Sequence, residues 1–477
     1  MGRTAVRRRS AGKMDRGARG VALDLIQDAG RPGVRLDERL RGCEARKSLD
    51  AKDRAFVREL AYGTLRWRGR LDQALSFCLS GSAEKLPPVV LNVLRLGAYQ
   101  ILFTDRIPPW AAVDEAVGQV RARGFAGLAA LVNGVLRRLA REAEGWRRTD
   151  DAASPQDADA LADAESHPRW MVRRWARRWG MEGAVRVCRA NNAAGPLTLR
   201  VNRRRATPEV LEEALRSAGA EVARGRISPD VLTLRGGGDV RTLPGFRDGW
   251  FAVQDEGAAL MAPLLGVRPG DRVWDVCAGP GGKTAHLAEL MEDEGLLLAT
   301  DPHRTRLARV AETARRMGLR SVSPVRGGMD ASRGEAFDAV LVDAPCSGLG
   351  VLRRHPEAKW NKTEADILRL SGLALKILRA ASRAVGPGKG EGGRLLYCVC
   401  SLEEEETGRV VEAFEQSAEG ARFQREDLSS RLPDGLSSAR RFVDRSGCFA
   451  LRPGDAGTDG FFAAGWRRIS PEERRSG

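Results

Sequence analysis

Three stretches of this 477-residue chain hold residue types that could do covalent chemistry. LLYCVCSLEEEE, Leu395 to Glu406, sets Cys398 and Cys400 between an apolar and an acidic run. FDAVLVDAPCSG sets Asp343 ahead of Pro345 and Cys346. DRVWDVCAGPGGKTAHLAELM opens a glycine-rich turn at Cys277, running through Ala278, Gly279, Pro280, Gly281 and Gly282 to Lys283. A thiol attacks as its thiolate, so nucleophilic catalysis needs a cysteine whose pKa is lowered, with neighbouring groups placed to move protons. Residues two apart on a strand face the same side, so spacing alone does not separate Cys398 from Cys400. Cys43, Cys78, Cys188 and Cys448 read as inert packing.

Composition limits what the thiols can be. Eight cysteines with no CxxC pair and only four histidines favour neither a disulfide scaffold nor a zinc site, so no metal is expected. No apolar run approaches the ~20 residues that span a bilayer, and the basic N-terminus leads into no signal-peptide core. The expectation is a soluble, cytoplasmic protein with no membrane partner. The net charge of +16 points to a polyanion, because Lys and Arg that neutralise phosphates release counterions. Residues 1–17, basic and glycine-rich, read as a disordered arm.

The elements that must position these residues fall into blocks. Residues 18–145 repeat apolar side chains at three and four, as in VRELAYGTLRWRGRLDQAL and VVLNVLRLGAYQILF, which predicts an all-α bundle. TDDAASPQDADALADAES, within 146–167, reads as an acidic linker able to bury little. Residues 168–250 read as a connecting domain: a helix with Met171, Trp175 and Trp179 on one side and arginines elsewhere, then a small α+β pattern from LTLRVN and TPEVLEEALRSAG. From 251 to 470 strands ending at Val276, Asp301, Asp343 and near Cys400 alternate with helices. That predicts a parallel sheet with helices on both faces and a ligand site at the strand ends.

The turn after the first of these strands is not a phosphate loop, because GxxxxGK[ST] needs glycine where Cys277 stands. Asp301, ending the second strand, is placed instead to accept hydrogen bonds from a ribose diol. Glycines 279, 281 and 282 would let an adenosine-bearing ligand approach the backbone.

With these residues in view, DVCAGPGGKT, FDAVLVDAPCSGLGVLRRHPEAKW and LLYCVCSLEEEE resemble, in order and spacing, the S-adenosylmethionine loop, Pro-Cys motif and Thr-Cys motif of RNA cytosine-5 methyltransferases. QDEGAALMAPLL and LRPGDAGTDGFFAAGWRR fit the same family. DRAFVRELAYGTLRWRGRLD, LRLGAYQILF, IPPWAAVDEAV and LVNGVLRR resemble the NusB-type domain fused to it in the RsmB/Sun/Fmu branch, which modifies small-subunit ribosomal RNA. The implied fold is multidomain: an all-α NusB-like bundle, a small α+β domain and an α/β Rossmann-like methyltransferase domain.

The resemblance implies S-adenosyl-L-methionine as cofactor, held by Cys277 to Lys283, Asp301, Asp330 and Asp343. It assigns attack on carbon 6 of cytosine to Cys400, release of the methylated RNA to Cys346, and binding of the base edge to Asp343, whose pKa burial would raise. Cys398, where the family has a small residue, reads as packing; Val399 and Thr407 depart from the usual Thr and Asn. Arg353, Arg354, His355 and Lys359 are candidates for holding the flipped nucleotide. The implied partner is 16S ribosomal RNA, naked or early in assembly, at a 967-type cytosine, with the protein a monomer. The alternatives are the same reaction on transfer RNA and a catalytically silent RNA-binding or antitermination factor.

Overall fold

A computed structural model describes residues 17–470 except 32, 47–48, 148–156, 237–238, 330, 332–333, 335 and 390–391. The expectations for the basic arm 1–16 and for Asp330 therefore lie outside the described residues. The chain divides into two compact units, Met1–Ala193 with Leu352–Lys362, and Ala194–Val351 with Thr363–Gly477.

The first unit is helical. Its helices include Ala18–Ala29, Leu36–Arg46, Ala51–Arg66, Arg68–Cys78, Pro88–Phe103, Pro109–Ala122 and Ala129–Arg141. Pro88 and Pro109 begin their helices because a first-turn residue needs no intrahelical N–H bond. Leu23, Leu60, Leu71, Leu94 and Leu136 share one core and are fully enclosed. Two helices meet at Gly63, where a Cβ would lie 2.0 Å from the Tyr99 ring, so only glycine fits.

The short stretch Leu352–Lys362, which follows the Pro-Cys motif in sequence, is built into this helical unit. The Glu357 carboxylate, 2% exposed, accepts from Leu36 N at 3.0 Å, at the start of the helix Leu36–Arg46. Trp360 Nε1 donates to Leu65 O at 2.6 Å, and the Arg68 guanidinium lies over its ring. Lys359, 1% exposed, donates to Asn192 Oδ1 at 2.7 Å and to the carbonyls of Arg66 and Ser166 at 3.3 Å. Burial holds its pKa well below the ordinary lysine value. We expect Trp360→Ala to cost the helical unit about 3 kcal/mol, read as a lower urea midpoint of the helical circular dichroism signal.

The acidic stretch expected to be a linker instead includes a helix, Ala158–Ala164, capped by Asp157 and burying Leu161 and Ala162. Asp159 and Asp163 on that helix pair with Arg173 and Arg169, so part of the arginine face is satisfied within the protein. The block 168–250 divides at Ala193: the helix Arg169–Asn192 belongs to the first unit, the α+β pattern to the second. Met171 and Trp175 are buried as the helical spacing predicts, but Gly180, at φ 69°, kinks the helix just after Trp179.

The second unit begins with an antiparallel sheet of β1 (Leu197–Val201), β2 (Glu221–Arg224), β3 (Val231–Arg235) and β4 (Phe251–Val253), in the order β2-β3-β1-β4. The helix Pro208–Ser217, capped by Thr207, packs Leu211 and Leu215 onto Leu199, Leu232 and Phe251. Phe251 thus ends the small sheet rather than starting the large one.

The large sheet contains β5 (Arg272–Asp275), β6 (Leu296–Asp301), β7 (Val322–Arg326), β8 (Ala339–Asp343), β9 (Arg394–Val399), β10 (Phe423–Glu426), β11 (Phe449–Leu451) and β12 (Phe461–Arg468). Its order is β10-β12-β9-β8-β5-β6-β7, with β11 also pairing β12. β5 to β9 are mutually parallel where they pair. The sheet is mixed rather than wholly parallel, because β12 runs antiparallel to β9, β10 and β11. The connection from β5 runs to β6 on one side while β8 lies on the other. This reversal opens a crevice at the carboxyl end of β5.

Candidate active site

The loops leaving β5, β6, β8 and β9 build the crevice. β5 ends in Asp275, and the turn from Cys277 to Gly281 doubles back, with Ala278 N donating to Thr300 O at 2.9 Å and Gly281 N to Ala278 O at 3.0 Å. Gly281 has φ 91° and a Cβ there would sit 3.0 Å from Val310 Cα, so glycine alone lets the turn pack on the helix Arg304–Met317. Gly279, at φ 55°, is the opposite case: only Cys277 O lies within 4 Å of its Cβ direction, leaving the turn's outer side clear. The helix Gly282–Leu290 is held from behind by Arg200, whose buried guanidinium donates to Glu289 at 2.8 Å and to Gln254 at 2.7 Å.

Lys283 does not remain with the turn. Its ammonium donates to Asp343 Oδ2 at 2.7 Å and lies over the Phe461 ring. Burial, the largest single influence, would lower its pKa; the Asp343 charge and hydrogen bond, together with the nearby Cys398 and Cys400 sulfurs, outweigh it and raise the pKa, keeping the lysine charged. Asp343 itself is not enclosed: its side chain is 29% exposed and has the Lys283 ammonium as partner. Asp301 accepts from His303 N at 2.8 Å and lies 3.7 Å from the Arg306 guanidinium.

Asp275 is 1% exposed and accepts from Thr284 Oγ1 at 2.7 Å. Burial, reinforced by the nearby Asp343 charge, raises its pKa from 3.8 to about 7. The protonated form therefore contributes stability that is complete below about pH 4 and lost as pH rises through about 7. We expect Asp275→Asn, which keeps an acceptor for Thr284, to remove that loss. Urea unfolding should find the variant the more stable protein at pH 8, by on the order of 3 kcal/mol, with the advantage vanishing toward pH 4.

β8 and β9 bring the thiols together. Cys346 Sγ and Cys400 Sγ lie 3.4 Å apart, both half-buried. The Cys346 pKa is raised well above the usual thiol value, first by its hydrogen bond to Cys400, then by burial and by the Cys400 and Glu406 charges. A thiol held protonated is a poor nucleophile, but its S–H can donate a hydrogen bond to a neighbouring sulfur. Cys398 is fully enclosed, and its Sγ donates to Asp343 Oδ1 at 3.5 Å. Burial and Asp343 push its pKa well up. Cys277 is likewise pushed up by burial. Among the described residues no cluster of three His, Cys, Asp or Glu could hold a metal, and no helix is long and apolar enough to cross a membrane.

Arg353, Arg354, His355 and Lys359 all fall in the Leu352–Lys362 stretch of the helical unit. Lys359 and Arg353 are 1% and 7% exposed, and the enclosed Lys359 ammonium is surrounded by acceptors, so neither side chain is offered to a phosphate. His355 Nε2 meets Arg35 at 3.0 Å. Arg354 is half-buried and stays a candidate. Sequence reasoning passed over Ser347, Ser401 and Glu406, which bond to one another beside the thiols. Within the acidic run SLEEEE no local pattern separates the buried Glu403 and Glu406 from the more accessible Glu404 and Glu405.

Residues 262–467 match the family described as 16S rRNA methyltransferase RsmB/F, residues 16–141 the NusB family, and residues 167–241 the RsmF/B-like ferredoxin-like domain. The chain is 34% identical over 432 residues to the ribosomal RNA small subunit methyltransferase B of Pseudomonas syringae pv. tomato, covering 89% of this chain and 92% of that protein. It is also 34% identical over 416 residues to the Salmonella agona protein of the same name, covering 87% and 90%. Among solved structures, PH0851 superposes with a TM-score of 0.75 at 26% identity, covering 94% of this chain and 98% of that one. A methyltransferase homologue from Pyrococcus horikoshii superposes at 0.55 and 25% identity, covering 66% and 100%.

Proposed function

Since the chain belongs to the 16S rRNA methyltransferase RsmB/F family, we propose that it methylates carbon 5 of a cytosine in small-subunit ribosomal RNA through a bond between Cys400 Sγ and carbon 6. The observation that carries this reading is the pair of thiols 3.4 Å apart beside the Asp343–Lys283 ion pair. Carbon 5 of cytosine is a weak nucleophile. Addition of the Cys400 thiolate to carbon 6 makes the ring enamine-like, so that carbon 5 can take a methyl group; loss of the carbon 5 proton then breaks the sulfur–carbon bond.

Asp343 would face the N3 and N4 edge of the base, and Lys283 holds that carboxylate in place. Cys346, kept protonated, would assist departure of the methylated product. S-adenosylmethionine, when bound, supplies an electrophilic methyl group. The turn Cys277–Gly282 would hold it, and the clear outer side of Gly279 and the carboxylate of Asp301 at the next strand end fit such a ligand.

The test is methyl transfer from labelled S-adenosylmethionine to small-subunit ribosomal RNA and to transfer RNA, followed by mapping of 5-methylcytosine. We expect one site in 16S RNA, of the 967 type. Transfer only to transfer RNA would overturn the substrate; no transfer to either would leave an RNA-binding factor. The net charge of +16 also predicts that affinity for the RNA falls at least about tenfold between ~50 and ~200 mM salt, measured by filter binding.

A further inference from the structure

Glu406 is fully enclosed, and its carboxylate is held by donors that carry no charge. It accepts from Ser347 N and from Ser347 Oγ, each at 2.6 Å. Ser347 Oγ also lies 3.3 Å from Ser401 Oγ, which accepts from Glu403 N at 3.2 Å. The main chain of Glu406 is anchored separately, its carbonyl accepting from Tyr397 Oη on β9 at 2.6 Å. Ser347 directly follows Cys346, and Ser401 directly follows Cys400. One side chain therefore ties the loop after β8 to the end of β9, next to both sulfurs.

A buried carboxylate satisfied only by hydroxyl and amide groups is a costly way to close a loop. Burial accordingly raises the Glu406 pKa, and the hydrogen bonds from Ser347 and Ser401 oppose the rise. What the carboxylate adds is two charge-assisted bonds to a single residue, which fix both the backbone and the side chain of Ser347.

We propose that Glu406 is a positioning residue for product release: by gripping Ser347 it keeps Cys346 Sγ within reach of Cys400 Sγ. The inference rests on the reading of Cys346 as the release thiol. Glu406 touches neither sulfur through a hydrogen bond and acts through the residue beside each. In Glu406→Gln the two charge-assisted bonds to Ser347 become bonds to a neutral amide, and the Ser347 hydroxyl must turn from donor to acceptor, so the grip on the loop weakens while its volume is kept.

The experiment compares wild type, C346A, E406Q, S347A and the double variant C346A/E406Q on substrate RNA. Covalent complex is read on denaturing gels, with single-turnover and steady-state rates measured alongside. E406Q is expected to form adduct at a rate near wild type, to turn over about tenfold more slowly or worse, and to accumulate the complex. The double variant should be no slower than C346A, because Glu406 works through that thiol. S347A, which keeps the amide donor and loses the hydroxyl, should show a weaker form of the same pattern and serves if E406Q does not fold. If C346A accumulates complex while E406Q and S347A release product like wild type, this inference fails alone. Loss of adduct formation in E406Q, or slowing that adds to that of C346A, also overturns it. If C346A itself accumulates none, the reading of Cys346 has failed first.

Discussion

Cys400→Ala is expected to abolish turnover, with a loss on the order of 10⁴-fold or more, and to leave no covalent RNA complex. Without a sulfur to add at carbon 6, carbon 5 lacks the electron density to take a methyl group, and orientation alone does not replace that step. Denaturing gels of wild type with RNA containing 5-fluorocytidine should show a shifted band. Fluorine cannot leave carbon 5 as a proton does, so elimination is blocked and the adduct persists. Mass spectrometry of the trapped species should place the bond on the peptide carrying Cys400. Cys398, two residues earlier, is the internal control: it is fully enclosed and bonded to Asp343. A crosslink on Cys398 or Cys346, or none, would falsify the assignment.

Cys346→Ala is expected to do the reverse. Attack and methyl transfer proceed, but release stalls, so the complex with ordinary RNA accumulates while steady-state turnover falls about a hundredfold. Cys346 sits 3.4 Å from Cys400, and the Cys400 sulfur, burial and Glu406 all favour its protonated form. A protonated neighbour can stabilise the departing Cys400 thiolate by donating a hydrogen bond to it, and alanine cannot. Rates measured with and without prior loading of RNA separate slow release from slow attack. If Cys346→Ala formed no complex while Cys400→Ala formed one, the two thiols would have to exchange roles.

The three structural blocks were legible because each rests on a short-range pattern. Apolar residues at three and four specify the helical bundle, and strand-turn-helix punctuation specifies the sheet from β5 to β9. Asp301 and Asp343 close β6 and β8, and Cys400 follows β9, as the sequence predicts. What misled was burial. Ala158–Ala164 looked like a linker because its composition is polar, yet a cap and two apolar residues are enough once Leu161 has a core to enter. Arg353 and Lys359 looked like phosphate ligands because charge usually means solvent. The strap that carries them is closed into the helical unit, where backbone carbonyls and Asn192 receive the lysine protons.

From its sequence alone this chain specified which residue types could react and which strand ends would present them, since side-chain alternation, turn chemistry and helix periodicity act over a few residues. The fold alone decided how those residues meet. It brings two sulfurs 54 positions apart to 3.4 Å, pairs Lys283 with Asp343, and turns Glu406, of a run of four glutamates, onto Ser347. Distances and desolvation set protonation and reactivity, and both come from which strands lie side by side, a property no local window of sequence contains.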